Sequence, residues 1–181
     1  MKNVILFGFM GTGKTVAGKE VASRLGMKFV DMDDVIEAKE GSTISEIFAW
    51  KGEAHFRKVE SEVARELSER EGLVIATGGG VVLKAPNVDA LQSSGTGICL
   101  MASQEEILER VKGQSHRPLL MTGEPLERIK ALLGYRAPFY AKVKYQIDTS
   151  GLSVEKVVDK ILEIVKADRR CGAGGEVAGK L

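Results

Sequence analysis

The sequence predicts a three-layer α/β domain built on a parallel sheet, and three observations carry that prediction. Strand-like and helix-like segments alternate along the chain, as they must when each parallel crossover is made by a helix. The apolar run Val4-Ile5-Leu6-Phe7 leads directly into Gly8-Phe9-Met10-Gly11-Thr12-Gly13-Lys14-Thr15 and then a helix. That spacing, G-x-x-x-x-G-K-[ST] between strand and helix, is the signature of a phosphate-cradling loop. Two further clusters, Asp31-Met32-Asp33-Asp34 and Gly78-Gly79-Gly80, also close apolar segments. All three therefore fall at C-terminal strand ends, where α/β sheets hold their ligands.

The elements follow in order. Asn3–Phe7 reads as the first strand, and Lys14–Leu25 as a helix with Val16, Val21, Ala22 and Leu25 on its apolar side. Lys28–Asp31 is a short strand, followed by a helix from about Asp33 to Lys39 that stops at Gly41. Ser42 or Thr43 caps the next helix through Ile44, Ile47 and Phe48, Gly52 interrupts it, and Glu53–Arg70 repeats Phe56, Val59, Val63 and Leu67 at helical spacing. Gly72–Thr77 and Gly97–Met101 are buried strands, and Ser103 caps a helix to about Val111. Lys112–Gly123 lacks apolar periodicity and reads as a loop; helix returns from Pro125 to about Lys142. A strand at Tyr145–Asp148 and a helix from Ser153 to about Lys166 complete the domain, placed at residues 1–167. The glycine-rich stretch 168–181 carries too little apolar content to order itself and is expected to be disordered.

Composition narrows the function. A chain of 181 residues with 44% hydrophobic and 28% charged residues fits one soluble domain with a full core. A net charge of +1 gives no global field for nucleic acid or an anionic membrane, so basic residues matter by position. Cys99 and Cys171 make neither a disulfide framework nor a metal-ligand spacing. With no long apolar run and no signal-peptide layout, a cytoplasmic location is expected.

The chemistry is carried by few residues. Gly8, Gly11 and Gly13 let backbone N–H groups approach a triphosphate, Lys14 reaches its β- and γ-phosphates, and the Thr15 hydroxyl is placed to ligate Mg²⁺. The helix that begins at Lys14 aims its positive end at the same anion. Asp31 and Asp33 can divide two tasks, one holding Mg²⁺ and the other orienting a substrate hydroxyl and taking its proton; the competing role is to cap the following helix, which Asp34 also fits. Three successive glycines at 78–80 suit a ligand lying on the backbone, or a tight helix–sheet approach. Arg57 is a candidate anion-binding residue that Glu60, three positions on, could orient, or a plain surface arginine. Arg117 in the aperiodic segment and Arg136 in the following helix suit a lid over a triphosphate, against solvated loop and helix-surface readings. His116 reads as a solvated loop residue.

In this ordered combination the chain resembles shikimate kinases. The motifs are Gly8–Thr15, Asp31-x-Asp33, Phe56-Arg57-x-x-Glu60, Gly78-Gly79-Gly80, Arg117-Pro118-Leu119 and Arg136-x-Pro138-x-Tyr140, and the match runs from the first strand to about Lys166. The resemblance implies an α/β P-loop kinase fold with a five-stranded parallel sheet, substrate-binding helices and a lid at about 112–124. It implies transfer of the γ-phosphate of MgATP to the shikimate 3-hydroxyl. By the family pattern Arg57 and Arg136 grip the shikimate carboxylate, and Asp33 with the backbone at Gly79 and Gly80 holds the hydroxyls. ATP lies on Gly11, Thr12, Gly13, Lys14, Thr15 and Val16, with Arg110 facing the adenine and Arg117 on the phosphates. Lys14, Asp33 and Arg117 are the catalytic group, while Thr15 and Asp31 serve Mg²⁺. Phe48, Phe56 and Glu60 line or support the pocket.

The chain departs from the pattern after the last strand, where Ser150-Gly151-Leu152-Ser153 has no basic residue for the adenine. A monomer without nucleic-acid or membrane partners is implied. Two rivals stand beside this reading. One is a kinase of the same fold for another acidic polyol, such as gluconate, or for a nucleotide. The other is a non-catalytic ATP-binding switch.

Overall fold

The computed structural model describes residues 1–111 and 125–173. Five strands, β1 (Asn3–Gly8), β2 (Lys28–Asp31), β3 (Leu73–Ala76), β4 (Gly95–Met101) and β5 (Tyr145–Asp148), form one sheet in the order β2-β3-β1-β4-β5. All four pairings are parallel, with Leu6 opposite Ala76 on one side and Ile98 on the other. Alternate residues of β1 feed the two layers that cover the sheet. Val4 and Leu6 pack with Ala17, Val21 and Ala22 of α1 (Lys14–Leu25) and with Val158, Ile161 and Val165 of α7 (Val154–Ala173). Ile5 and Phe7 pack with Met32 and Ile36 of α2 (Met32–Glu40) and with Val59, Val63 and Leu67 of α3 (Ile44–Ser68). The period of two in the strand and the helical spacing in its covers thus meet as the sequence pattern requires. Helices α5 (Gln104–Val111) and α6 (Pro125–Tyr140) complete the second layer, through Ile107, Val111 and Ile129.

Local signals explain most boundaries. Thr43 caps α3 in a reciprocal arrangement: its backbone N–H donates to Glu46 Oε2 at 2.8 Å, and the Glu46 N–H donates to Thr43 Oγ1 at 3.3 Å. Gly52, at φ 77° and ψ 168°, leaves the helical conformation inside α3, so that a kink divides it into the two helices the sequence leads one to expect. The N-cap of α2 is Asp31, whose Oδ1 accepts the Asp33 N–H at 3.1 Å. Asp34 lies inside the first turn.

Three differences from the sequence reading have physical causes. Residues 81–93 form a 3₁₀ turn (Val81–Leu83) and helix α4 (Ala85–Ser93), which the sequence reading passed over; Pro86 sits in the first turn, and Val88 and Leu91 are buried. Strand β4 begins at Gly95, not Gly97, because Asn3 to Gly8 pair with Gly95 to Leu100. Helix α7 runs to Ala173, beyond the end expected at Lys166, so the stretch taken as a tail from Asp168 is helical at its start. The Asp168 carboxylate accepts from Thr96 Oγ1 at 2.8 Å, Lys144 Nζ at 2.8 Å and Tyr145 Oη at 2.7 Å, which ties α7 to the sheet. Although partial burial opposes ionisation, these donors hold its acid at about 2. The rest of the expected tail, 174–181, lies outside the described residues, as does the lid expected at 112–124.

Candidate active site

The loop from Gly8 to Lys14 is shaped by its own short-range bonds. Thr12 Oγ1 donates to the Phe9 carbonyl at 2.8 Å, and Lys14 Nζ donates to the carbonyls of Gly8 and Phe9, both at 2.8 Å. The ammonium therefore lies back across the concavity that its N–H groups enclose. Gly8 cannot be exchanged here: its φ is 141°, and a Cβ would collide with the Leu100 carbonyl oxygen of the neighbouring strand. Gly11 and Gly13 complete the loop, and Val16 is 58% exposed at the start of α1, facing away from the core.

The second strand brings its carboxylate to the same place. Thr15 Oγ1 donates to Asp31 Oδ2 at 2.9 Å, while Asp31 Oδ1 caps α2. Of the roles weighed for this aspartate, Oδ1 fills the helix cap, and Oδ2 bonds the Thr15 hydroxyl. A hydroxyl and a carboxylate side by side are hard oxygen donors suited to Mg²⁺, which takes one or two protein oxygens beside phosphates and water. Among the described residues no group of three or more His, Cys, Asp or Glu gathers as an all-protein cage.

Next to this loop the glycine triplet forms a seam, and each glycine meets a different charged group. A Cβ on Gly78 would stand 2.9 Å from Asp33 Oδ1 and 3.2 Å from Glu60 Oε1. On Gly79 it would stand 3.4 Å from Arg136 Nη1 and 3.5 Å from both the Gly8 carbonyl oxygen and the Met10 nitrogen, so this glycine touches the phosphate loop itself. On Gly80 it would stand 2.5 Å from Arg57 Nη2. Gly78 and Gly80 are buried and Gly79 is partly so, and the triplet packs closely among Asp33, Glu60, Arg57 and Arg136, as the tight-approach reading expects.

Glu60 and Arg136 are buried, and Asp33 and Arg57 partly so. Arg136 is 4% exposed, donates through Nη1 to the Gly79 carbonyl at 3.2 Å, and lies 5.5 Å from the centre of the Phe9 ring. Tyr140, one helical turn later, donates to the same carbonyl at 2.7 Å, and burial pushes its phenol up, so it stays protonated. Arg57 donates through Nη1 to Glu60 Oε2 at 2.8 Å and through Nη2 to Glu53 Oε1 at 3.2 Å; its guanidinium lies 5.0 Å from the Phe56 ring. Burial is the largest influence on Glu60, 1% exposed, and pushes its carboxyl up although Arg57 pulls the other way. Burial is also the largest influence on the Arg57 cation and disfavours it, but Glu60 and Glu53 together carry the guanidinium above its ordinary value. Phe48 and Phe56 pack with ring centres 4.7 Å apart beside this pair.

Arg110 stands on the other flank of the phosphate loop. Its Nη1 donates to the Gly11 carbonyl and to Thr149 Oγ1, each at 3.3 Å. Arg117 lies outside the described residues. Sequence reading assigned no task to Glu53 or Tyr140. The available signal was helical spacing: Glu53 and Tyr140 each stand four residues from the arginine they support.

A family model described as shikimate kinase matches residues 10–166. The chain belongs to the shikimate kinase family. The shikimate kinase of Thermodesulfovibrio yellowstonii is 50% identical over 163 residues, covering 90% of this chain and 94% of that one. The solved shikimate kinase from Acinetobacter baumannii in complex with shikimate superposes with a TM-score of 0.89 at 38% identity, covering 93% of this chain and 94% of that one. A gluconokinase from Sinorhizobium meliloti, at 16% identity and TM-score 0.64, shares the fold alone. The first rival reading therefore loses to the family, and the second loses with it. As a shikimate kinase, this chain is an ATP-dependent phosphotransferase that phosphorylates the 3-hydroxyl of shikimate in aromatic amino-acid biosynthesis.

Proposed function

We propose that this reaction is run by the seam between the phosphate loop and the glycine triplet. Shikimate would lie on Gly79 and Gly80 with its carboxylate between Arg57 and Arg136, where two guanidiniums can offer paired donors to a planar anion. The Gly79 carbonyl already accepts from Arg136 and Tyr140, so what this backbone offers shikimate is N–H. Asp33 receives the 3-hydroxyl proton as the hydroxyl oxygen bonds to the γ-phosphorus; the bond from phosphorus to the bridging oxygen breaks, and ADP leaves with that electron pair. Lys14 moves from its resting carbonyls to the phosphates, with Arg117 the candidate second cation. Gly11, Thr12, Gly13, Thr15 and Val16 line the nucleotide, and Arg110 faces its nucleoside end. Thr15 and Asp31 would hold Mg²⁺, which supplies charge neutralisation on the phosphates when bound. The proposal takes the chain to work as a monomer in the cytoplasm. No helix among the described residues is long and apolar enough to cross a membrane.

The observation that supports this reading most is Gly79, which meets Arg136 on one side and the phosphate loop on the other. On this reading the acceptor and donor sites lie within one residue of each other. The test is ADP release with MgATP and shikimate, quinate, gluconate or no acceptor, run on the wild type and Asp33→Asn. Asp33→Asn is expected to lower kcat by about 10²–10⁴-fold, the usual contribution of a positioned general base, and to leave ATP affinity unchanged. A change confined to KM for shikimate would reduce Asp33 to a positioning role.

A further inference from the structure

The connection after β5 lacks the basic residue that the family pattern often places there, yet it is tightly held. Helix α5 holds it. Glu106 Oε1 accepts the Gly151 N–H at 2.6 Å, and Ser150 Oγ accepts the Ser103 N–H at 2.9 Å. The other oxygen of Glu106, Oε2, accepts from Arg110 Nη2, one helical turn on. Arg110 in turn bonds the Gly11 carbonyl of the phosphate loop and Thr149, which is 2% exposed. One carboxylate thus joins α5, the β5–α7 connection and, through Arg110, the phosphate loop.

A surface ion pair at this spacing would contribute a few tenths of a kcal/mol and little order. This pair differs in two respects. Both side chains are about two-thirds covered, at 34% and 31% exposed. Each also has a second anchor from a distant part of the chain, so neither can swing without breaking two contacts. Gly151, at φ 67°, turns the connection so that its N–H faces the carboxylate.

We propose that Glu106 is a positioning residue for the nucleoside end of ATP. It holds Arg110 against the phosphate loop and pins the connection at Gly151, so that two walls of the nucleotide cleft are set before ATP arrives. The connection then contributes shape where a basic side chain is missing. This inference rests on the reading of Arg110 as facing the nucleotide.

The test compares the full-length wild type with E106Q, E106A, R110A and E106A/R110A. It records kcat, KM for ATP, KM for shikimate and the calorimetric Kd for MgADP. E106A is expected to weaken MgADP and raise KM for ATP about tenfold, as for loss of a charge-assisted contact. KM for shikimate and kcat should stay within about twofold. E106Q keeps an acceptor for Gly151 and should recover part of the loss, and the double variant should be no worse than R110A, because the two residues act as one unit. E106A with wild-type affinity beside a weakened R110A would overturn the role of Glu106 and keep the reading of Arg110. R110A with wild-type affinity would overturn both. Equal loss in both KM values and kcat, not recovered in E106Q, would make Glu106 a support of the fold and overturn the proposal.

Discussion

The two ends of the proposed active site are built from different materials. The phosphate end is mainly one stretch of chain: Lys14 bonds carbonyls five and six residues behind it, Thr12 bonds one three residues behind, and Asp31 and Arg110 join it from outside. The end proposed for the acceptor is mainly side chain, collected from α2, α3 and α6 around the glycine turn after β3, with Arg136 reaching a carbonyl 57 residues away. The difference follows from what each end must bind. A polyphosphate has many equivalent oxygens and is met by N–H groups and one mobile cation. A small carboxylated polyol must be distinguished from its isomers, which needs fixed charged groups in a buried place, and buried charges persist only when paired. Hence Glu60 and Glu53 on Arg57, and Phe9 under Arg136.

Substitutions should separate the two ends. The largest effect is expected at Lys14→Met, which removes the one side chain at the phosphate end that must move onto the transferred group. Turnover should fall by at least about 10³-fold, since such charges act chiefly in the transition state, with KM for shikimate little changed. Single-turnover phosphate transfer would check it; activity within tenfold of wild type would take Lys14 out of the mechanism. Arg136→Ala comes next. Loss of a hydrogen-bonded charge at about 1.5–3 kcal/mol predicts a rise of about 10- to 100-fold in KM for shikimate, with ATP unaffected. Equal loss for both substrates would show that the ends are one unit and break the comparison.

The same contrast explains what was legible in the sequence. The phosphate loop is contiguous, so its spacing specified strand, turn, helix and ligand together. The acceptor end is dispersed, and for Arg57 or Arg136 no local pattern separates a buried anion clamp from a surface charge; only the resemblance to a family placed them. Even so, the spacing of Arg57 and Glu60 stated in advance the ion pair that forms. Helix α4 was missed because its start, Lys84-Ala85-Pro86, has no side-chain cap, and its nine residues bury only Asn87, Val88 and Leu91. The end of α7 was misplaced because Asp168 is held by Thr96, Lys144 and Tyr145, partners that sequence proximity does not reveal.

The smallest effect, and the sharpest on the comparison, is expected at Gly80→Ala. Its φ is −97° and ψ −7°, an ordinary right-handed conformation, so alanine brings no backbone strain. Its methyl would instead stand 2.5 Å from Arg57 Nη2 and 2.7 Å from Cζ. These are side-chain atoms, so the site can yield where Gly8, against the Leu100 carbonyl, cannot. The guanidinium can turn aside, but only by loosening its bonds to Glu60 and Glu53. Overpacking of this kind costs about 1–3 kcal/mol, and the part that falls on Arg57 should raise KM for shikimate about three- to tenfold. KM for ATP should stay at the wild-type value, because the neighbour of Gly80 is Arg57 and the neighbour of Gly79 is the phosphate loop. Steady-state kinetics with each substrate varied in turn would decide it. A matching rise in KM for ATP would mean that strain at one glycine passes to the next, and that the seam carries the two substrates as a single rigid surface.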